Sequence, residues 1–246
     1  MGPVRTEVMW QSVLDAVEVT GVDTLTILDL GGGTGSDAVR LAQAGHHVTI
    51  VDPSPDALAS LERRSADAAR AGEVPGRVRG VLGDTTDLLQ HVDAGSFELV
   101  LCHGVLEHVD DTDQAMSVVA SALRPGAHAS VVVAGRLAAV VARALAGDFA
   151  AATRVFSTDL STWDTRSMGP RRFVAAELDA LLVKHGLTPV ASHALRVFAD
   201  LVPSALVDIE PGARDALFAL ERLVADHGDF TALSAGLQSI ARLDSQ

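Results

Sequence analysis

Thr26-Ile27-Leu28-Asp29-Leu30-Gly31-Gly32-Gly33-Thr34-Gly35 decides the reading of this chain. A short apolar run enters a block of glycines, and Ser36–Ala44 continues with Ala38, Leu41 and Ala42 on one helical face. The pattern predicts a strand, a tight turn and a helix. Glycine suits such a turn because a side chain would keep a ligand away from the backbone. A second apolar run, His47–Val51, ends at Asp52. A carboxylate at the end of the neighbouring parallel strand can accept both hydroxyls of a ribose. The opening therefore predicts a nucleoside-binding βαβ unit.

The spacing bears on which nucleoside. A dinucleotide fingerprint places glycines as G-x-G-x-x-G against a pyrophosphate. Here they fall at 31, 33 and 35, and position 36 is serine. Asp29, just before the turn, would repel a pyrophosphate and suits a cationic ligand such as the amine and sulfonium of S-adenosylmethionine. A nicotinamide cofactor and a ligand-free structural turn are the alternatives.

Composition narrows the class. The 246 residues suit one α/β domain over 1–246 with an insertion, and 48% of them are hydrophobic, enough for a sizeable core. No apolar run reaches membrane-spanning length. No basic segment followed by an apolar stretch opens the chain, so no signal peptide is expected. Cys102 is the only cysteine, which excludes an intrachain disulfide and makes cytoplasm the default. Net charge is −13 and Lys184 is the only lysine, a balance that disfavours non-specific nucleic-acid binding.

Working outward, Val4–Glu18 reads as an amphipathic helix and Leu25–Leu30 as the first strand. Strands are expected at His47–Val51, Arg77–Leu82, Phe97–Cys102 and Ala129–Ala134, with helices at Asp56–Ala71 and Asp113–Leu123, the latter stopped by Arg124-Pro125-Gly126. The rhythm then breaks. Arg136–Arg172 contains no clean strand and is long for a connection, the mark of a lid or binding loop. Beyond it come a helix at Phe173–His185, a strand at Pro189–Phe198, a helix at Gly212–Asp226 and a last strand candidate at Leu237–Leu243.

This series of motifs resembles the class I S-adenosylmethionine-dependent methyltransferases. Ile27 to Gly35 is similar to their first motif and Val51-Asp52-Pro53-Ser54 to their second. Gly83-Asp84-Thr85 resembles the segment beside the adenine, Phe97 to Val109 the fourth-strand motif, and Leu123-Arg124-Pro125-Gly126 the lead into strand five. The resemblance implies a Rossmann-like, doubly wound, mostly parallel seven-stranded sheet with helices on both faces. A helical or loop insertion, 136–172, would follow strand five and cover the substrate. It also implies S-adenosyl-L-methionine as cofactor, with contacts at Asp29, Gly31, Gly32, Gly33, Gly35, Asp52, Pro53, Asp84, Thr85, Cys102 and His103.

A closer resemblance, to the bacterial tRNA 5-carboxymethoxyuridine methyltransferases, rests on Arg5 to Trp10, Cys102 to Glu107, Ala146 to Phe149 and Leu195 to Phe198. It implies a cofactor contact at Arg5 as well, and esterification of a carboxylate on a modified tRNA uridine. A small-molecule carboxylate or hydroxyl acceptor, and a cofactor-binding module without turnover, are the alternatives.

A carboxylate acceptor is already an anion near neutral pH and needs arginines to place it more than it needs a base. Candidate clamps are Arg136, Arg154, Arg166, Arg171, Arg172 and Arg196; Glu107 and His108 are candidates should the nucleophile be a hydroxyl. His46-His47 and Asp110-Asp111 lack a matching third ligand, so no metal is assigned.

Overall fold

The computed structural model describes residues 3–72 and 76–245. Seven strands form one sheet: β1 Thr26–Leu30, β2 His47–Asp52, β3 Arg77–Leu82, β4 Phe97–His103, β5 Leu123–Ala134, β6 Leu187–Leu195 and β7 Gly236–Leu243. Their spatial order is β3-β2-β1-β4-β5-β7-β6. Strands β1 to β5 pair in parallel, and β7 is antiparallel to both β5 and β6. The sheet is thus the mostly parallel, seven-stranded one expected. From β1 the chain builds outward to one side through β2 and β3, then crosses to β4 and β5 on the other. The crevice beyond the carboxyl ends of β1 and β4 is where ligands of such sheets collect.

Helices α1 (Pro3–Thr20), α2 (Ser36–Gln43) and α3 (Pro55–Arg70) precede a short α4 (Leu88–His91) and α5 (Thr112–Ala122). The insertion holds α6 (Arg136–Leu145), α7 (Phe149–Ser157), a 3-10 turn at Leu160–Thr162 and α8 (Thr165–Met168). Then come α9 (Ala175–Lys184), α10 (Ser204–Ile209), α11 (Ala213–Ala225) and α12 (Gly228–Thr231). Local chemistry starts several of these. Ser54 Oγ accepts from Ala57 N–H at 3.2 Å ahead of Pro55, Asp111 accepts from Asp113 and Gln114, and Asp148 accepts from Ala151.

Two cores sandwich the sheet, because successive strand residues point to opposite faces. Leu28, Val100 and Cys102 pack with Met116 and Val119 of α5 and Leu178 and Leu182 of α9. Ile27, Leu99 and Leu101 pack with Trp10 and Val13 of α1 and Leu41 of α2. Each fully buried aliphatic side chain contributes about 1.5–3 kcal/mol relative to exposure.

Most boundaries shift by one or two residues from the sequence reading, and two differ by more. Strand β5 begins at Leu123 rather than Ala129. The ladder pairs Phe97 with Leu123 and next Leu99 with His128, so a bulge absorbs Arg124-Pro125-Gly126 where proline has no N–H to donate. Strand β6 ends at Leu195 rather than Phe198. Arg196 turns to φ 57°, and the next three N–H groups go to Glu221 of α11 instead of a ladder.

Gly35 joins the turn to α2 at φ 70°, and a Cβ there would stand 2.1 Å from Leu61 Cδ1. Gly35→Ala is therefore expected to destabilise the protein by roughly 2–4 kcal/mol, backbone strain adding to overpacking. Urea unfolding checks this; an unchanged midpoint would contradict the packing described.

Candidate functional site: a nucleoside cleft and an arginine cavity

The glycine turn is held from two sides. Gly31 N–H donates to Val51 O at 2.8 Å, which docks the start of the turn on β2. Asp52, at the end of β2, accepts from Gly33 N–H at 2.8 Å through Oδ2 and from Ser54 N–H at 2.9 Å through Oδ1. Each oxygen keeps a lone pair for a further donor. Under the turn lies Asp29, whose carboxylate occupies the space a side chain at position 32 would need: a Cβ on Gly32 would meet Asp29 Oδ2 at 2.4 Å. Burial foremost, and then the charges of Asp37 and Asp52, push the Asp29 carboxyl up to about 7.

Beyond the turn opens a cleft of about 610 Å³ at the ends of β1, β2 and β4. Gly31, Asp52, Pro53, Asp84, Thr85 and His108, all singled out from the sequence, line it, together with Gly104, Val105 and Gln114, which were not. The donor set fits S-adenosylmethionine. Asp29 suits its amine, Asp52 its ribose, and the apolar Leu30, Val51 and Val105 its flat base. Three further sequence candidates sit elsewhere, among them Arg5, expected at the cofactor, which lines the second cavity described below. Cys102 is fully buried in the core, where burial drives its thiol far above the ordinary value, so only its backbone is available to a ligand. His103 Nε2 lies 2.8 Å from Ser130 Oγ, which accepts from Gln238 Nε2 at 2.9 Å. Burial pulls this imidazole down to about 4, so it is neutral at physiological pH.

A second cavity, about 310 Å³, gathers Arg5, Arg143, Arg172 and Arg196 with Asp200. They come from α1, α6, the end of the insertion and the loop after β6. Arg5 Nε meets Asp200 Oδ1 at 2.7 Å, and Arg196 Nη1 lies 3.7 Å from Asp200 Oδ2. The Nε of Arg196 is buried without a hydrogen-bond partner. Arg143 donates only to Ala139 O of its own helix, at 3.4 Å. Among the described residues the half-buried Arg172 guanidinium has no hydrogen-bond or ion-pair partner. Burial first, and next the like charge of Arg143, hold its pKa below the usual arginine value. Such a group gains from any anion that enters.

The remaining arginines are placed differently. Arg136 is 7% exposed and braces the insertion: its Nη2 donates to both Glu177 oxygens at 2.8 and 2.9 Å, and its Nε and Nη2 donate to Arg172 O. Arg171 donates to Val109 O and, at 3.0 Å, to Asp110 O, tying the end of the insertion to the rim of the cleft. Arg154 and Arg166 face solvent. Glu107 stands between the two cavities in connectivity: His108 lines the cleft, while the Glu107 Oε1 accepts from Ala134 N–H at 2.7 Å and its charge acts on Arg172. Its Oε2 is buried without a partner, and burial raises its pKa. Arg143 was missed because its helical spacing looks like a solvent face. Asp200 and Glu221 carried no sequence signal.

Residues 28–129 match the family described as a methyltransferase domain. The chain has the fold of the class I S-adenosylmethionine-dependent methyltransferases. The chain is 30% identical over 148 residues to tRNA 5-carboxymethoxyuridine methyltransferase of Escherichia coli (strain K12), covering 60% of this chain and 55% of that one. It is 31% identical over 121 residues to ubiquinone biosynthesis O-methyltransferase of Xanthomonas axonopodis pv. citri (strain 306), covering 49% and 48%. The chain thus spans about half the length of these curated relatives. In fold it is similar to the 1,6-didemethyltoxoflavin-N1-methyltransferase of Burkholderia thailandensis, solved with S-adenosylhomocysteine. That match has a TM-score of 0.56 at 21% identity and covers 97% of this chain and 79% of the other. No helix among the described residues is long and apolar enough to cross a membrane.

An amine held by Asp29 would make cofactor binding pH-dependent. Its folded value, about 7, lies above the ordinary 3.8. In the ligand-free protein, stability is therefore highest below the unfolded value and falls as pH rises from about 4 to about 7. A ligand amine favours the ionised carboxylate, so binding releases a proton. Affinity for S-adenosylhomocysteine is expected to rise about tenfold between pH 6 and 8. Calorimetry in buffers of different ionisation enthalpy checks this, and Asp29→Asn should flatten the profile.

Proposed function

We propose that this protein transfers a methyl group from S-adenosylmethionine to an acceptor carboxylate held in the arginine cavity. One observation carries the reading: the unpartnered, half-buried guanidinium of Arg172, crowded by other arginines. Glu107 and Asp200 act on this cation only through space, without a hydrogen bond, and a carboxylate that enters can add two parallel charge-assisted hydrogen bonds. The 30% identity to a carboxymethoxyuridine methyltransferase supports the same acceptor chemistry.

The bound cofactor supplies an activated methyl group on a cationic sulfur. The chain has three tasks. Asp29, the glycine turn and Asp52 hold the amine and ribose; Thr85 and the apolar cleft wall hold the base. Arg143, Arg172 and Arg196 orient the acceptor, which as an anion near neutral pH needs no proton removed. The insertion over 136–172, braced by Arg136 and Arg171, covers the acceptor, excludes water and fixes the approach. Such positioning can supply about 7–11 kcal/mol of a barrier when the reacting atoms are about 3–3.5 Å apart. Neither His108 nor Glu107 is required as a base.

The E. coli relative favours a carboxylate on a tRNA nucleoside. A net charge of −13 and a single lysine favour a small free carboxylate instead, because wide phosphate contact calls for basic surface. Purified protein with methyl-labelled cofactor, offered total RNA and a small-metabolite extract, separates the two. Label in RNA supports the nucleoside, label in the small fraction the free acid, and base-labile label in either supports an ester. Label in neither would overturn the proposal.

Arg172→Ala is expected to raise the KM of the acceptor by roughly 10- to 100-fold, the loss of one or two hydrogen bonds to a charged group. Its affinity for S-adenosylhomocysteine should stay within about twofold, since Arg172 lies outside the cofactor cleft. Steady-state kinetics beside calorimetry checks both; loss of cofactor binding would contradict the division into two cavities.

A further inference from the structure

Glu221 of α11 is 2% exposed, far from the cleft in sequence, and the chemistry above does not use it. Its carboxylate takes three successive backbone donors from one loop: Val197 N–H at 2.9 Å on Oε2, and Phe198 and Ala199 N–H at 2.8 and 2.6 Å on Oε1. An isolated buried carboxylate is unfavourable, and three convergent N–H groups are what make it tolerable. Ending a strand does not call for this; a glycine or an exposed turn would do. What the arrangement produces is a particular loop. Arg196 is the only non-glycine residue at positive φ among the described residues, at 57°. A side chain of that size reaches the left-handed region only when its surroundings over-determine it. The loop so formed opens on Arg196 and closes on Asp200, and both line the arginine cavity. Asp200 then holds Arg5 at 2.7 Å.

We infer that Glu221 is a positioning residue: by gathering the Val197, Phe198 and Ala199 amides, it holds the Arg196–Asp200 loop in the shape that makes the arginine cavity an acceptor-carboxylate site. This rests on the carboxylate reading above and adds to it the residue through which the clamp is built. Glutamine keeps the shape of the side chain but offers one acceptor oxygen in place of two, so at least one amide loses its partner. The guanidinium of Arg196 would then no longer be fixed relative to Arg172.

The test uses the full chain, two ligands and amide hydrogen exchange. S-adenosylhomocysteine reports the cleft, and the free nucleoside 5-carboxymethoxyuridine reports the arginine cavity. Expected for Glu221→Gln are faster exchange at residues 197–199, about tenfold or more weaker nucleoside binding, and S-adenosylhomocysteine affinity within about twofold of wild type. Glu221→Asp, which keeps the charge on a shorter stem, should fall between. Arg196→Ala should weaken nucleoside binding equally while leaving exchange at 197–199 as in wild type, which separates the clamp from its scaffold. Nucleoside affinity unchanged in Glu221→Gln would overturn the inference. So would parallel loss of both ligands, which would mark a general packing role, or unchanged exchange in the loop. Failure of the wild type itself to bind the nucleoside, with its loop still protected, would overturn the inference and the nucleoside form of the carboxylate reading, while the small free acid stays with the labelling experiment above.

Discussion

The grip of Asp52 on the glycine turn organises this molecule. One carboxylate, at the end of β2, takes an N–H from Gly33 across the crevice and one from Ser54 along its own chain. That pair of bonds joins the end of β2 to the turn after β1 and leaves each oxygen a lone pair for a further donor. The turn cannot relax inward, because Asp29 fills the space beneath Gly32 and Leu61 the space beside Gly35. It cannot open outward without breaking the bonds to Asp52 and Val51. The crevice is therefore a consequence of how two neighbouring parallel strands end.

Buried charge is handled in three ways, and the contrast separates scaffold from site. Arg136 is held by Glu177 and by the Arg172 carbonyl, and Glu221 by three amides; both find their partners within the protein. Asp29 is relieved by holding its proton, which raises its pKa and leaves it ready for a cationic partner. Arg172 has no such recourse, because a guanidinium does not give up its proton near neutrality. Of these groups, the unsatisfied ones flank the places where ligands are proposed to bind.

The insertion links the two cavities mechanically. Arg136 fastens its beginning to α9, and Trp163 is pinned within it through an Nε1 bond to Gly169 O at 3.0 Å. Arg171 fastens its end to the loop after β4 that rims the cleft. Binding on either side of that loop thus bears on the same few backbone bonds.

The nucleotide-binding half was legible in the sequence because its determinants are local. Glycine at 31 to 35, Ser54-Pro55 at a helix start, and acids at 29 and 52 act within a few residues of where they stand, and alternating apolar strands announce their two buried faces. The arginine cavity was not legible, because an arginine's role depends on what the fold places opposite it. Arg136 has the position of a clamp and became a brace once α9 set Glu177 against it. Arg143 has the spacing of a surface residue and came to line a cavity once α6 folded beside the loop after β6. The end of β6 was misread for the same reason: Val197 and Phe198 have strand propensity, but Glu221 from α11 takes their amides. Sequence determined the sheet and the glycine-walled crevice at its strand ends, since both follow from short-range backbone chemistry. Tertiary structure alone decided which charges are paired and which stay open, since that pairing joins residues as far apart as 5 and 200.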